Sequence, residues 1–161
     1  LILNTNKFLT VRFSLKKSNY GNLITREKLS YLLSEAKLEC KKTIGDRNII
    51  HMLINNYLID NKSYLSFPEN LKCDYFSLDI SFICLSKNHI LNLENVLKKY
   101  QISVNNILNF DYVNSFLNES QNNLYQMSMQ INDGYNENEV LIVPKKRKNR
   151  GFFERFFNFF N

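Results

Sequence analysis

The sequence predicts an α+β domain in which helices pack on a small sheet. Two segments, residues 8–15 and 76–84, alternate apolar and polar side chains, as half-buried strands do. Between and after these segments, apolar residues recur at the spacing of a single helix face. The predicted order is strand, helix, strands, helix, strand, which is typical of a layered α+β fold.

The first strand and the first helix are predicted in the amino-terminal part. Phe8 to Leu15 forms the strand, and a loop through Gly21 follows. Thr25 is suited to be the N-cap of a helix that ends near Cys40. The buried stripe of this helix is Leu29, Leu32, Leu33 and Ala36. We expect the helix to cover one face of the sheet.

Four strands are predicted between this helix and residue 84. The short apolar run 49–54 indicates one strand, and residues 57–59 and 64–67 indicate two more around a turn at Asp60. Pro68 ends regular pairing. The clearest strand follows, and its inward residues are Phe76, Leu78, Ile80, Phe82 and Cys84.

A second covering helix is predicted next, capped by Ser86 or Asn88. Its apolar stripe is Ile90, Leu93, Leu97 and Tyr100. Residues 104–108 then predict a returning strand, and residues 113–117 a short helix. The domain is therefore predicted to span residues 8–117. Residues 118–148, polar at first and basic at the end, predict a flexible linker.

The last segment, residues 149–161, predicts an amphipathic helix that binds a membrane surface. At about 100° per residue its six phenylalanines share one arc, and basic residues lie beside it. The segment is too short to cross a bilayer. The residues expected to contact lipid are Lys145, Lys146, Arg147, Lys148, Arg150, Phe152, Phe153, Arg155, Phe156, Phe157, Phe159 and Phe160.

The distribution of charge supports a separate role for the tail. Residues 145–161 hold a net charge of +5, while the whole chain has +6. A nearly neutral body argues against a fold that neutralises many phosphates. Two alternatives remain open, because the phenylalanines can instead dock on the domain as a last core helix, and the basic run can bind nucleic acid.

The sequence contains no pattern that predicts a catalytic or metal-binding residue. His51 and His89 have no cysteine or carboxylate at metal-ligand spacing, and the cysteines Cys40, Cys73 and Cys84 lack such spacing too. His51, within an apolar strand, is predicted to be a hydrogen-bonded core residue. We also find no glycine-rich phosphate loop and no nucleophile motif. The sequence predicts a protein without enzymatic activity, cofactor or metal.

Residues 8–117 resemble the inserted 1C subdomain, of the SHS2 type, in the bacterial actin-like cell-division family FtsA. The order and spacing of several short runs carry the resemblance. They are Ile24 to Glu27 before the first helix; Arg47, Ile50, His51, Tyr57, Ile59 and Asp60; Pro68, Leu71, Phe76, Leu78, Asp79, Ile80 and Ile83; and Asn92, Leu93, Val96, Ile102, Val104 and Leu108. The amphipathic tail, reached through a linker, is similar to the family's carboxy-terminal membrane helix.

The chain departs from the family pattern at several positions. Asn70, Cys73 and Gln101 stand where the family usually has glycine, and Ser81 stands where it has histidine. The Asp-x-Gly and Gly-Gly-x-x-Thr loops that bind ATP between the actin-like lobes do not occur. ATP binding is therefore not implied for this chain. Binding of the tubulin-like protein FtsZ, which contacts a lobe that is missing here, is not implied either.

The resemblance implies an SHS2-like small sheet with two covering helices and a non-enzymatic adaptor role in cell division. The domain would dock division proteins, such as the cytoplasmic tail of FtsN. The terminal helix would hold it on anionic lipid at the cytoplasmic face of the inner membrane. The alternatives are an adaptor for pilus assembly, similar to PilM, and a small protein that binds nucleic acid through its basic tail.

Overall fold

The computed structural model describes residues 1–117 and 123–142. The strands are β1 (Ile2–Leu3), β2 (Leu9–Leu23), β3 (Arg47–Ile59), β4 (Lys62–Tyr64), β5 (Lys72–Ser86) and β6 (Leu108–Asn109). The helices are α1 (Arg26–Thr43), α2 (Lys87–Lys98), α3 (Phe110–Asn114) and α4 (Leu124–Asn132). The predicted α+β class is confirmed. The predicted membrane helix at 149–161 lies outside the described residues.

A four-stranded antiparallel sheet organises the fold, with the strand order β2-β5-β3-β4. The central strand β5 pairs with β2 from Leu9↔Cys84 onward and with β3 from Arg47↔Ser86 onward. β1 and β6 form a separate, parallel two-stranded pair. From Phe76 to Cys84, β5 has a neighbour on each side, so its main-chain groups face hydrogen-bonding strands on both edges there.

Several strands differ in length from the sequence prediction. β2 continues to Leu23, and β3 is one strand where two were predicted. Register shifts at 49–51 and 54–56 explain the second difference, since each shift breaks the alternation that marks a strand. The strand predicted at 64–67 is wrong for residues 65–67, because β4 shares only Tyr64 with it. The returning strand predicted at 104–108 is also wrong, because only Leu108–Asn109 pairs, with β1.

One hydrophobic core lies between the sheet and α1. Thr25 caps α1, as predicted, by accepting a hydrogen bond from the backbone N–H of Lys28. The predicted stripe of α1 is buried, and so are the inward residues of β5. Each large apolar side chain buried here contributes about 1.5–3 kcal/mol relative to exposure. The prediction that the first helix covers one sheet face is confirmed.

A second, smaller core lies on the opposite face of the sheet. Leu53 and Ile83, which alternate with residues of the first core, contact a cluster formed by α3 and α4. The buried members of this cluster are Leu108, Tyr112, Val113, Met127 and Ile131. The short helix predicted at 113–117 begins earlier, at Phe110. The Asn109 side chain caps it by accepting from the Tyr112 N–H at 2.8 Å.

The second predicted covering helix, α2, does not cover the sheet. Of its predicted stripe Ile90 is buried, Leu93 and Leu97 are half-buried, and Tyr100, beyond the end of the helix, is exposed. Ser86 is its N-cap residue but makes no side-chain capping bond. Helices α3 and α4 occupy the sheet face instead. None of the described helices is long and apolar enough to cross a membrane.

The flexible linker predicted at 118–148 is wrong for residues 123–142. These residues form α4 and a segment that pairs with β3, and Met127, Ile131 and Val140 are almost fully buried. The sequence hid this because the buried apolar residues are few and stand among asparagine, glutamine and acidic residues. Asn123 caps α4 by accepting from the Gln126 N–H at 2.8 Å.

Candidate binding site

The twelve residues predicted to contact lipid, Lys145 to Phe160, lie outside the described residues. The structure does describe residues 138–142, through which the chain leads to them. The Ile54 N–H donates to the Asn138 carbonyl at 2.9 Å, and the Val140 N–H donates to the Met52 carbonyl at 3.0 Å. This segment, which we call the anchor, therefore extends the sheet along the edge of β3.

A buried carboxylate fixes the anchor to the domain. Glu139 is 7 % exposed as a residue, and its carboxylate accepts three hydrogen bonds. Oε1 accepts from the backbone N–H groups of Met52 and Leu141, each at 3.1 Å. Oε2 lies 3.0 Å from Nδ1 of His51. All the partners are donors, so the buried negative charge is well solvated by protein groups.

His51 connects the anchor to the second core. Its Nε2 accepts a hydrogen bond of 3.0 Å from the backbone N–H of Asn109, which identifies Nδ1 as the protonated nitrogen. Nδ1–H therefore donates to Glu139 Oε2. The imidazole, fully buried, joins β3, the start of α3 and the anchor in one network. The sequence prediction that His51 is a hydrogen-bonded core residue is confirmed.

Aromatic rings continue this network towards the surface. The Tyr112 ring lies 4.5 Å from the His51 ring, Phe116 packs edge-on against Tyr112, and Tyr135 packs edge-on against Phe116. Burial, and then the nearby Glu139 carboxylate, raise the pKa of the Tyr112 hydroxyl. Tyr112 is therefore a neutral hydrogen-bonding group, and its oxygen accepts from Asn136 at 3.0 Å.

A polar cleft of about 390 Å³ opens beside the His51 network, on the same face of the sheet. Its floor crosses the three long strands, and its walls come from residues 5–8 and from the start of α3. The lining residues are Thr5, Asn6, Phe8, Thr10, Arg12, Leu53, Asn55, Ser81, Ile83, Asn109, Asp111 and Tyr112. Asn55 and Ser81 are joined by a 2.7 Å hydrogen bond. The mixture of amides, hydroxyls and apolar groups suits a peptide.

Two charged side chains of opposite sign line the cleft. Arg12 comes from β2 and Asp111 from the first turn of α3, and both are exposed. Within the described parts of the chain, neither side chain forms a hydrogen bond or an ion pair. An exposed guanidinium without a fixed partner is a ready donor to the carbonyl or carboxylate groups of a bound segment.

The outer edge of β2 is a second surface on which a peptide can pair. β2 stands at one end of the sheet order, and the anchor already occupies part of the β3 edge at the other side. Lys16 and Lys17 occur on β2, and lysines are common on natural edge strands. Lys17 is paired with Glu35 at 3.0 Å, and Lys16 lies over the Tyr75 ring.

The three cysteines are free and buried. Burial raises the pKa of the Cys40 thiol to about 12, and the Cys73 and Cys84 thiols are shifted in the same direction. Thiols of this kind are inert core residues. Over residues 1–117 and 123–142, no cluster of three or more His, Cys, Asp or Glu side chains has the geometry to hold a metal ion.

No protein-family model matches this chain, and no curated protein matches it. A function for the chain is therefore inferred from its own residues.

The sequence did not indicate three residues of this region, which are Glu139, Asn109 and Arg12. Glu139 stands in an acidic, polar stretch and reads as a solvated charge. Asn109 and Arg12 belong to no motif. The weak signal for Glu139 was its place directly before an apolar run, Val140, Leu141 and Ile142.

Proposed function

We propose that this chain is a non-enzymatic, membrane-associated adaptor in bacterial cell division, similar to the 1C subdomain of FtsA joined to its membrane helix. The observation that carries the proposal is the basic and phenylalanine-rich tail, residues 145–161. Phenylalanines on one face with lysine and arginine beside them are the features of an interfacial helix. The proposed location is the cytoplasmic face of the cell membrane.

The anchor supports this role because it gives the tail a defined point of departure. The hydrogen bonds of Asn138, Glu139 and Val140 hold the chain on the domain up to the last few residues before Lys145. Force or restraint on the tail would therefore reach the sheet directly. A tethered domain also meets its partners at an elevated local concentration.

The fold order supports the resemblance to the 1C subdomain. Along the four-stranded sheet the long elements follow as β2, α1, β3 and β5, which is strand, helix, strand, strand. We assign partner docking to the polar cleft beside Arg12, where a division-protein tail in an extended form would fit. The resemblance points to the cytoplasmic tail of FtsN as one such partner, and anionic lipid is the partner of the terminal helix.

The membrane role is tested with Phe156→Glu combined with Phe160→Glu in the full chain. Losing even half of the burial energy of two phenylalanines, about 1.5–3 kcal/mol, lowers membrane partitioning about ten- to a hundredfold. We expect the variant to move to the soluble fraction of lysed cells. The matched control is Phe156→Leu with Phe160→Leu, which keeps an apolar face and should remain with the membrane. Unchanged fractionation of the glutamate variant would contradict the proposal.

The docking role is tested with Arg12→Glu in binding to a peptide of the FtsN cytoplasmic tail. The substitution removes a charge-assisted hydrogen bond to the peptide and reverses the charge at this position. We expect it to weaken binding by about tenfold or more. Lys62→Glu, the same change on the exposed β4 strand, is the control and should bind like the unaltered chain. Equal affinities of all three chains for the peptide would contradict the proposal that the cleft beside Arg12 is the docking site.

A further inference from the structure

The outer face of α4 is an apolar surface without a described partner. Tyr125 and Met129 are 70 % and 49 % exposed. They are four residues apart and therefore neighbours on the helix, and Asp133, exposed just after the helix, continues the row. We call Tyr125, Met129 and Asp133 the α4 face. The opposite side of α4 is occupied, because Met127 and Ile131 are buried in the second core.

The stretch of sequence that contains this face has acidic residues and no basic ones. Between Lys99 and Lys145 the chain has no lysine or arginine, and its five carboxylates are Asp111, Glu119, Asp133, Glu137 and Glu139. Glu139 is buried and already satisfied by three donors, but Asp111, Asp133 and Glu137 are exposed. The segment that builds the second core is therefore an acidic surface attached to a more basic amino-terminal part.

We propose that the α4 face is the docking site of the chain's own tail, residues 145–161. The tail has the complementary composition, with a net charge of +5 and six phenylalanines against exposed carboxylates, a tyrosine and a methionine. Methionine sulfur and aromatic rings attract each other. The amino-terminal part would not attract the tail in this way, because residues 1–99 carry fifteen basic and nine acidic side chains.

The place where the described chain ends puts the tail within reach. Ile142, the last described residue, packs on the same core as Met127 and Ile131 of α4. Residues 143–149 extend to about 23 Å, while α4, with nine residues, is about 14 Å long. The connection is therefore longer than α4 and longer than the helix diameter of about 10–12 Å, so it is long enough to pass around α4 to its outer face.

The contact is reversible, because it rests on solvent-exposed charges that salt screens and on a face of only two large apolar side chains. Its consequence, which rests on the proposed function, is that docking and membrane binding exclude each other. When the protein is not bound to lipid, the phenylalanines of the tail cover Tyr125 and Met129. When the tail binds an anionic membrane, Tyr125 and Met129 become uncovered. Exposure of the α4 face would then depend on whether the tail is bound to a membrane.

The test uses the methyl signals of the three methionines in the full chain, observed by NMR. Met52 and Met127 are buried and report the integrity of the two cores, while Met129 reports the α4 face. Docked phenylalanine rings shift the Met129 signal by their ring currents. We expect this shift at low salt, and we expect it to disappear in Lys145→Glu with Lys146→Glu. The control Lys41→Glu with Lys42→Glu, the same charge change on α1, should keep it.

The outcomes separate this contact from the membrane proposal. A Met129 signal that is the same in the full chain and the tail variant overturns the docking, as does an equal response in the α1 control. If Met52 or Met127 moves in the tail variant, a salt titration of the unaltered chain decides, and a salt-independent Met129 signal overturns the docking. A shift lost on dilution assigns the tail to a second copy and overturns the intramolecular contact.

Adding vesicles tests the second step on its own. Anionic vesicles should return the Met129 signal to the position seen in the tail variant, whereas neutral vesicles should leave it unchanged. A tail-dependent Met129 shift that persists with anionic vesicles would retain the docking and contradict the membrane proposal. Membrane binding without any tail-dependent shift would do the reverse.

Discussion

At the scale of single residues, the domain depends on one buried charge and one imidazole. The Glu139 carboxylate accepts from two backbone N–H groups and from His51, and His51 accepts from the Asn109 N–H. The two side chains therefore satisfy four hydrogen-bond donors. A buried donor left without its acceptor costs about 1–3 kcal/mol. The attachment of the carboxy-terminal segment is therefore specified by polar groups as much as by apolar packing.

Replacing Glu139 tests this claim. We expect Glu139→Ala to lower the free energy of unfolding by about 3 kcal/mol or more, because it leaves three donors without their acceptor, each at a cost of about 1–3 kcal/mol. Glu139→Gln keeps one oxygen for the backbone but presents an amide N–H to His51 Nδ1–H, and should cost about 1–3 kcal/mol. Urea unfolding measures both, and Glu137→Gln, two residues away and exposed, is the control. Equal stability of the Glu139 and Glu137 variants would contradict the role of the network.

At the scale of secondary-structure elements, the sequence predicted the parts that bury a regular apolar face. α1, the inward face of β5 and the Thr25 cap are confirmed because periodic burial and capping leave a local pattern. β3 was divided in two because its register shifts break that pattern. α4 and the anchor were assigned to a linker, because their attachment relies on Met127, Ile131 and the buried Glu139 within a polar stretch. The helix α2 shows the converse, since its apolar stripe has Ile90 as its one buried member while Leu93 and Leu97 are only half-buried.

Shortening a buried side chain of α4 tests whether this helix is an integral part of the fold. Ile131→Ala should destabilise the domain by about 2–5 kcal/mol, because Ile131 is almost fully buried in the second core. Gln130→Ala, its exposed neighbour on the same helix, should change the stability by no more than about 0.5 kcal/mol. Thermal unfolding of both variants makes the comparison. If Ile131→Ala is as stable as Gln130→Ala, residues 123–142 do not belong to the cooperative unit.

At the scale of the whole molecule, charge divides the chain into three parts. Residues 1–99 are basic, residues 100–144 are acidic, and residues 145–161 are basic and rich in phenylalanine. The acidic part builds the second core and carries the anchor, so it stands between the sheet and the tail. We propose that this arrangement lets the tail exchange between an anionic membrane and its own domain. The polar cleft beside Arg12 would remain available to a partner in either state.

Co-sedimentation with liposomes tests the central proposal, attachment to a membrane through the tail, most directly. The full chain is compared with a chain that ends at Pro144, on neutral and on anionic vesicles. We predict that the full chain pellets, more strongly with anionic lipid and less at high salt, while the shortened chain stays in solution. Equal behaviour of the two chains, whether both bind or neither does, would contradict the proposal that the tail is a membrane anchor.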